Sequence, residues 1–170
     1  MNFIPSLLFF IINLSLLTGC SHYHWGSPRI CLPFHTLYIA PVNNESFAPQ
    51  AQALLSDYLV AFFQQAGVKV VNCEEQAEAT LSINLINFER SMATTKNKDT
   101  FVARSFNVNL TAFCSLINNC SETPFFCNIP VESSINALTD EGLQAIEYQD
   151  MPVITRQLAY SIKELVINHW

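Results

Sequence analysis

The sequence predicts an α+β fold: a two-layer sandwich with two helices packed on one face of a roughly four-stranded, mostly antiparallel sheet. Three observations predict it. Apolar and polar residues alternate in several segments between residues 79 and 132, as in strands with one buried face. Residues 49–66 and 151–168 are apolar at helical spacing. The resulting order is strand, helix, strand, antiparallel meander and helix.

The composition is that of one small folded domain. The chain has 170 residues, of which 50% are hydrophobic and 13% are charged, so it can form a hydrophobic core and is not intrinsically disordered. It has 14 acidic residues against 8 Lys and Arg, for a net charge of −6. This charge would repel a phosphate backbone, so no nucleic-acid partner is expected.

The N-terminal residues predict a lipoprotein signal. The uncharged run from Phe3 to Leu17 is too short to span about 30 Å of hydrocarbon, and it is typical of a secretory signal peptide. It is followed by Leu17-Thr18-Gly19-Cys20, which has the form of a bacterial lipobox. We therefore predict a signal peptide at 1–19 and a diacylglyceryl lipid on Cys20. Ser21 is not the Asp that retains many lipoproteins at the inner membrane, so we expect an outer-membrane, periplasm-facing location.

The segment after the predicted lipid site, residues 20–36, contains Gly26, Pro28 and Pro33 and has no periodicity. We interpret it as a tether, which leaves 37–170 as the folded domain. The first strand is predicted over residues 37–42. A helix is predicted from Pro49 to about residue 66, with Gly67 as its C-terminal stop.

The predicted first helix has an unusually narrow polar stripe, because Asp57 is its only charged residue. Two explanations stay open: the helix packs into a thick core, or a partner covers part of its outward face. On the second explanation, Phe62 and Phe63 are the candidate partner-facing residues.

The meander is predicted from alternating segments. A strand at 68–72 precedes one that begins at Ala79, and a change of parity at Ile86 and Phe88 indicates a β-bulge or burial on both faces. Residues 105–116 have the clearest alternation, and 125–132 follow. The last helix is predicted from Met151, with Asp150 as N-cap and Pro152 in its first turn.

Half of the basic residues lie close together in this acidic chain. Arg90, Lys96, Lys98 and Arg104 are opposed only by Asp99, in a segment predicted to be a long loop between two neighbouring strands. Such a loop either keeps a hairpin solvated or attracts an anionic group, such as the phosphates of a lipid headgroup. The four cations are therefore candidate phosphate contacts.

Two cysteines are predicted to face each other in the meander. A turn at 118–123 pairs residues whose numbers sum to 241, which places Cys114 opposite Cys127 on the apolar face. We expect these two to be core neighbours, bridged or simply packed. A Cys120–Cys127 bridge is the alternative, and the sequence does not decide between them.

No catalytic or nucleotide-binding motif occurs: the chain has no Gly-rich phosphate loop, no His-Glu-x-x-His and no nucleophile elbow. The histidines lie at the two ends of the chain, away from any carboxylate that a motif would place beside them. We therefore expect a binding protein without enzymatic activity, metal or cofactor.

Four segments carry a resemblance to a known family. Residues 20–26 look like the lipidated start of many outer-membrane lipoproteins, with Ser21 in place of the usual Gly. Residues 32–50, LPFHTLYIAPVNNESFAPQ, resemble the signature of one branch of the LptE-like lipopolysaccharide-assembly lipoproteins. Residues 103–106 and 147–152 are similar to later blocks of that family.

The resemblance implies a sandwich of two helices on a four-stranded sheet, held as a plug in the lumen of an outer-membrane β-barrel, the LptD-type translocon. It also implies contact with lipopolysaccharide as it reaches the cell surface. Of the four cations, only Arg104 lies in a matching block. The alternative is a periplasmic adaptor lipoprotein of another export system, which would bind a protein and no lipid.

Overall fold

The computed structural model describes residues 32–48, 50–96, 99–138 and 143–170. The predicted signal peptide, Cys20, most of the tether, Pro49 and Lys98 lie outside these residues. In chain order the elements are β1 (Thr36–Ile39), β2 (Asn43–Asn44), α1 (Ala51–Gln65), β3 (Lys69–Val71), a 3₁₀ turn (Glu74–Gln76), β4 (Ala79–Lys96), β5 (Asp99–Asn118), β6 (Thr123–Leu138) and α2 (Leu143–Asn168).

The described strands form a single mixed sheet in the order β3-β1-β4-β5-β6, with the short β2 also paired to β4. β1 runs parallel to both β3 and β4, while β5 and β6 continue as an antiparallel meander. Strand β1, helix α1 and strand β3 form a βαβ unit, the connection that a parallel neighbour requires. The predicted α+β class with two helices on a sheet is confirmed, although the sheet has six strands instead of about four.

Both helices bury an apolar stripe against the same sheet. On α1 the buried residues recur every four positions, and on α2 they follow the predicted spacing, which a helix needs to present one face to the core. The fully buried members of these stripes are Ala51, Leu55, Leu59 and Phe63 on α1 and Ile154, Leu158, Ile162 and Val166 on α2. Neither helix of the described chain has the length and apolarity that a transmembrane helix needs.

Helix α1 ends where the sequence predicts. Gly67 has φ of +84°, the left-handed conformation that glycine adopts without a Cβ clash. Its N–H donates to Gln64 O at 3.0 Å, and the N–H of Val68 donates to Phe63 O at 2.9 Å. This pair of hydrogen bonds is a Schellman motif, which satisfies the last carbonyls of the helix.

Helix α2 begins eight residues before the predicted start, at Leu143, so Pro152 lies inside it. Pro152 has no N–H for the helical ladder, which is why the sequence predicts it in the first turn of the helix. The helix spans it because Met151 and Ile154, on either side of the proline, are buried against the sheet. Ser133 on β6 also donates its hydroxyl to Ile154 O at 3.1 Å, which ties this turn to the sheet.

The folded domain includes residues that the sequence analysis placed in the tether. Phe34 is buried in the core, and its ring lies 6.1 Å from that of Phe125. The N–H of Glu78 donates to the hydroxyl of Thr36 at 2.9 Å. The domain therefore begins before the predicted boundary at residue 37, by Leu32, which packs against the core.

Two register shifts in β6 overturn the predicted cysteine pairing. Asn118 pairs with Thr123 as expected, but β6 contains one extra residue before Phe126 and another before Ile129. Cys114 is buried opposite Ile129, whereas Cys127 is exposed. Both cysteines are free. The prediction that Cys114 and Cys127 are core neighbours is therefore wrong.

The second shift, before Ile129, has a local cause that the sequence pattern does not indicate. Asn128 adopts φ of +50°, and its N–H donates to the Ser115 hydroxyl at 2.9 Å. A residue in this conformation interrupts the alternation of the strand after Cys127. Cys127 itself is exposed because the first shift brings Phe126 into the core, and the next residue of a strand faces the opposite side of the sheet. The other predicted irregularity is confirmed, since β4 has a register shift between Leu85 and Asn87.

Candidate functional site

The basic segment is a β-hairpin and not the predicted long loop. We call residues 90–104 the basic hairpin. The pairing of β4 with β5 continues to Lys96 opposite Asp99, with several register shifts in its outer part. Arg104 lies in one of these shifts, between the paired positions Ala103 and Ser105. A paired hairpin holds its cations in a more restricted arrangement than a loop does, because its backbone follows a ladder of hydrogen bonds.

Arg90 is the cation of this hairpin whose side chain is described. It is exposed, and its guanidinium carbon lies 4.9 Å above the centroid of the Phe88 ring. The ring restrains the guanidinium through a cation–π contact. The side chains of Lys96, Lys98 and Arg104 lie outside the described residues, so their contacts stay predictions.

A second candidate site lies between the outward faces of the two helices. We call it the helix groove: Tyr58 and Phe62 from α1, and Pro152, Val153, Arg156, Gln157 and Tyr160 from α2. It is open to solvent and has a volume of about 570 Å³. The α2 residues recur at intervals of three and four positions, which places them on one helical stripe opposite the buried one.

Aromatic rings form the floor of the helix groove. The rings of Tyr58 and Phe62 are stacked with centroids 6.4 Å apart, as residues four positions apart on a helix allow. Phe62 in turn meets Tyr160 edge to face at 6.1 Å, which joins the two helices. Tyr160 is 51% exposed and Val153 is 55% exposed, so the groove presents apolar surface to its surroundings.

The two candidate partner-facing residues on α1 have different positions. Phe62 is half-buried on the outward side, in the groove, where a partner could reach it. Phe63 is completely buried in the core, so the prediction that it faces a partner is wrong. The narrow polar stripe of α1 therefore has two causes: part of its apolar surface packs in the core, and part lines the groove.

Cations border the helix groove. Arg156 is exposed among the lining residues, and Lys163 lies one helical turn beyond Tyr160 with its ammonium 4.1 Å from the centroid of that ring. Lys163 also pairs with Glu164, and hydrogen bonds from Lys163 and then Asn168 lower the pKa of the Glu164 carboxyl. Lys163 is thus already neutralised locally, whereas Arg156 has no ion pair with any residue that the structure describes.

The sequence analysis missed the helix groove, although one signal for it was present. Val153, Arg156 and Tyr160 follow positions i, i+3 and i+7 of the last helix, on the side away from its buried stripe. An apolar outward stripe on each of two helices indicates a shared surface only when the helices are known to lie side by side. That packing is a property of the fold and not of either segment.

Comparisons with known proteins identify the fold. No protein-family model matches the chain, and no curated protein matches it in sequence. An uncharacterized lipoprotein B of Nitrosomonas europaea is 17% identical, with a TM-score of 0.55 over 80% of this chain and 84% of that one. A DUF330 protein of Xanthomonas campestris is 10% identical, with a TM-score of 0.58 over 80% and 85%.

A hypothetical protein of Chlamydia trachomatis has the same arrangement, with 8% identity and a TM-score of 0.57 over 79% of this chain and 96% of that chain. At these identities the likeness is one of backbone architecture. The chain therefore shares its two-layer sandwich with bacterial proteins of which one is described as a lipoprotein.

Proposed function

We propose that this protein is an outer-membrane lipoprotein that assists the assembly of lipopolysaccharide at the cell surface, as plug and partner of an LptD-type β-barrel. The observation that carries the proposal is the basic hairpin: residues 90–104 contain four cations and one carboxylate in an acidic protein, and β4 and β5 are paired in this segment out to Lys96 opposite Asp99. The phosphates of lipid A are the anionic groups that such a hairpin would attract in this compartment.

Two further observations support a lipid-anchored protein at a membrane. The Leu17-Thr18-Gly19-Cys20 motif has every residue of a lipobox, and the described domain begins only twelve residues after Cys20. That length reaches at most about 40 Å, so a lipid on Cys20 would keep the sandwich close to the bilayer. A structural neighbour from Nitrosomonas europaea is also described as a lipoprotein.

The proposed mechanism is electrostatic binding of phosphate groups, without any catalytic step. Arg90, held over Phe88, would donate bidentate hydrogen bonds to a phosphate, which fixes orientation as well as adding affinity. Lys96, Lys98 and Arg104 would add charge along the same hairpin. The groove residue Phe62 is the described candidate for contact with the barrel, since it is apolar and partly exposed.

The proposal is tested by measuring lipopolysaccharide binding to the lipidated protein in detergent. Lys96→Glu combined with Lys98→Glu should weaken binding by about tenfold or more, because charge-assisted hydrogen bonds contribute about 1.5–3 kcal/mol each. The single variant Lys96→Glu should also weaken binding. Its matched control is Lys69→Glu, which makes the same charge change at an exposed residue on β3, at the far edge of the sheet, and should leave binding unchanged. Equal affinity of the double variant and the wild type would remove the basic hairpin from the proposal, and absence of binding by the wild type would remove lipopolysaccharide.

The barrel partner is tested by pulling the lipidated protein from its native outer membrane. Recovery of a large β-barrel in stoichiometric yield is expected. Recovery of inner-membrane transporter subunits would instead support the adaptor function, in which the protein binds another protein and no lipid.

A further inference from the structure

The helix groove has the composition of a small-molecule site, and none of its residues belongs to the basic hairpin. Its lining is mainly aromatic and aliphatic, and its polar groups are the side chains of Arg156 and Gln157 and the two tyrosine hydroxyls. Sites for small ligands have volumes of about 300–1,000 Å³ and combine apolar walls with a few polar groups that orient the ligand. The groove, at about 570 Å³, lies within this range.

The charge of the groove favours a ligand with an anionic group. Arg156 is the only ionisable cation or carboxylate among its lining residues, although the chain as a whole carries −6. The charged residues within three positions of the lining residues in sequence are Asp57 on α1 and Asp150 and Lys163 on α2, and Lys163 is paired with Glu164. Arg156 is therefore positioned to meet one anionic group at the border of an apolar surface.

An apolar floor beside a single cation matches an amphiphile that has an acyl chain and an anionic headgroup. The stacked and edge-to-face rings of Tyr58, Phe62 and Tyr160 form a continuous surface on which an extended chain can lie. A guanidinium binds phosphate oxygens in a planar, bidentate geometry. The groove is open, so a chain can enter from the side without any opening of the fold.

We propose that the helix groove binds an anionic phospholipid of the membrane in which the protein is anchored, with one acyl chain on the aromatic floor and the phosphate on Arg156. The proposal rests on the lipid anchor of the proposed function, but it requires neither lipopolysaccharide nor a barrel. It concerns the protein without its barrel partner, in which Phe62 is open to a lipid chain. In effect, the groove would hold the helical layer against the bilayer surface at a second point besides Cys20.

The test uses the lipidated full-length protein in vesicles that contain phosphatidylglycerol with a photoactivatable acyl chain. Illumination followed by mass spectrometry should place the label on Tyr58, Phe62 or Tyr160. Arg156→Gln should lower this labelling by about tenfold, because it removes the charged partner of the phosphate. Photoactivatable phosphatidylcholine, which has no net charge, should label the groove much less in the wild type.

Two other variants make the outcome specific. Val153→Glu places a carboxylate at an exposed position beside Arg156 and should lower labelling as well, while the fold is kept. Lys96→Glu with Lys98→Glu should leave groove labelling unchanged even if it abolishes lipopolysaccharide binding, so that failure of either proposal can be recognised. Absence of label from the groove, or labelling that Arg156→Gln leaves unchanged, would overturn the phospholipid proposal.

Discussion

The ring of Phe62 on α1 meets the ring of Tyr160 on α2 edge to face, with 6.1 Å between their centroids. Tyr160 is about half exposed, so this contact lies at the outer border of the helical layer and not in its core. It is nevertheless a direct side-chain contact between residues that are 98 positions apart in the sequence, 62 and 160. Measuring its energy therefore tests how the two helices pack.

We predict that Phe62 and Tyr160 stabilise the fold jointly. In a double-mutant cycle with Phe62→Ala and Tyr160→Ala, the coupling energy should be about 0.5–1.5 kcal/mol, the range of aromatic pairs. Urea unfolding of the four proteins gives this value. The matched control is a cycle that combines Phe62→Ala with Trp170→Ala, because the ring of Trp170 contacts Phe125 and His169 and not Phe62. That cycle should be additive within about 0.5 kcal/mol.

A buried and an exposed phenylalanine should respond differently to replacement by alanine. Phe63 is fully buried, so Phe63→Ala should lower the free energy of unfolding by about 3–5 kcal/mol. Phe47 is 92% exposed, and Phe47→Ala should change that free energy by less than about 0.5 kcal/mol. Comparable losses in the two variants would contradict the placement of Phe63 in the core.

Features set by a few neighbouring residues were predictable from the sequence. The stop at Gly67 depends on one residue that tolerates positive φ, and the bulge at Ile86 follows from a change of parity. The pairing of Asn118 with Thr123 depends only on the turn between them. Each of these is decided locally, within one turn or one strand pair.

Features decided by tertiary contact were not predictable. Pro152 and Asp150 together indicate a helix start, but burial of Met151 and Ile154 extends α2 through the proline. Next to the turn the register of β6 is as predicted, yet one extra residue before Phe126 and a second one at the positive-φ residue Asn128 displace the pairing beyond them. The helix groove needs both helices side by side, and no single segment contains that information.

Asn119 should be important for the corner where the 3₁₀ turn meets the meander. Its side-chain amide donates to Ala77 O at 2.9 Å and to Glu74 O at 3.2 Å, and its oxygen accepts from the hydroxyl of Thr80 at 3.0 Å. Asn119→Ala would remove three hydrogen bonds at once, so we expect a loss of about 1–3 kcal/mol in urea unfolding.

The control for Asn119 is Asn72→Ala, since Asn72 is exposed at the end of β3. Its free energy of unfolding should stay within about 0.5 kcal/mol of the wild type. If Asn119→Ala were as stable as Asn72→Ala, solvent would be replacing the three hydrogen bonds without cost, and the side chain would not fix this corner.

The last prediction concerns Cys114 and alkaline pH. Burial raises the pKa of the Cys114 thiol from 9.0 to about 12, because the thiolate would lose its hydration in the core. Above pH 9 the unfolded chain loses this proton while the folded chain keeps it, so the unfolded state is favoured. The associated stability is therefore complete below pH 9 and is lost as the pH rises toward 12, by at most about 1.4 kcal/mol per pH unit.

The measurement is urea unfolding of the wild type and Cys114→Val between pH 8 and pH 10.5, under reducing conditions. The exposed thiols of Cys73, Cys120 and Cys127 are present in both proteins, so their titration cancels in the difference. The stability of the wild type relative to Cys114→Val should be constant up to about pH 9 and then decrease. A difference that stays constant to pH 10.5 would mean that the folded protein lets this thiol ionise, which is incompatible with a dry, closely packed position opposite Ile129.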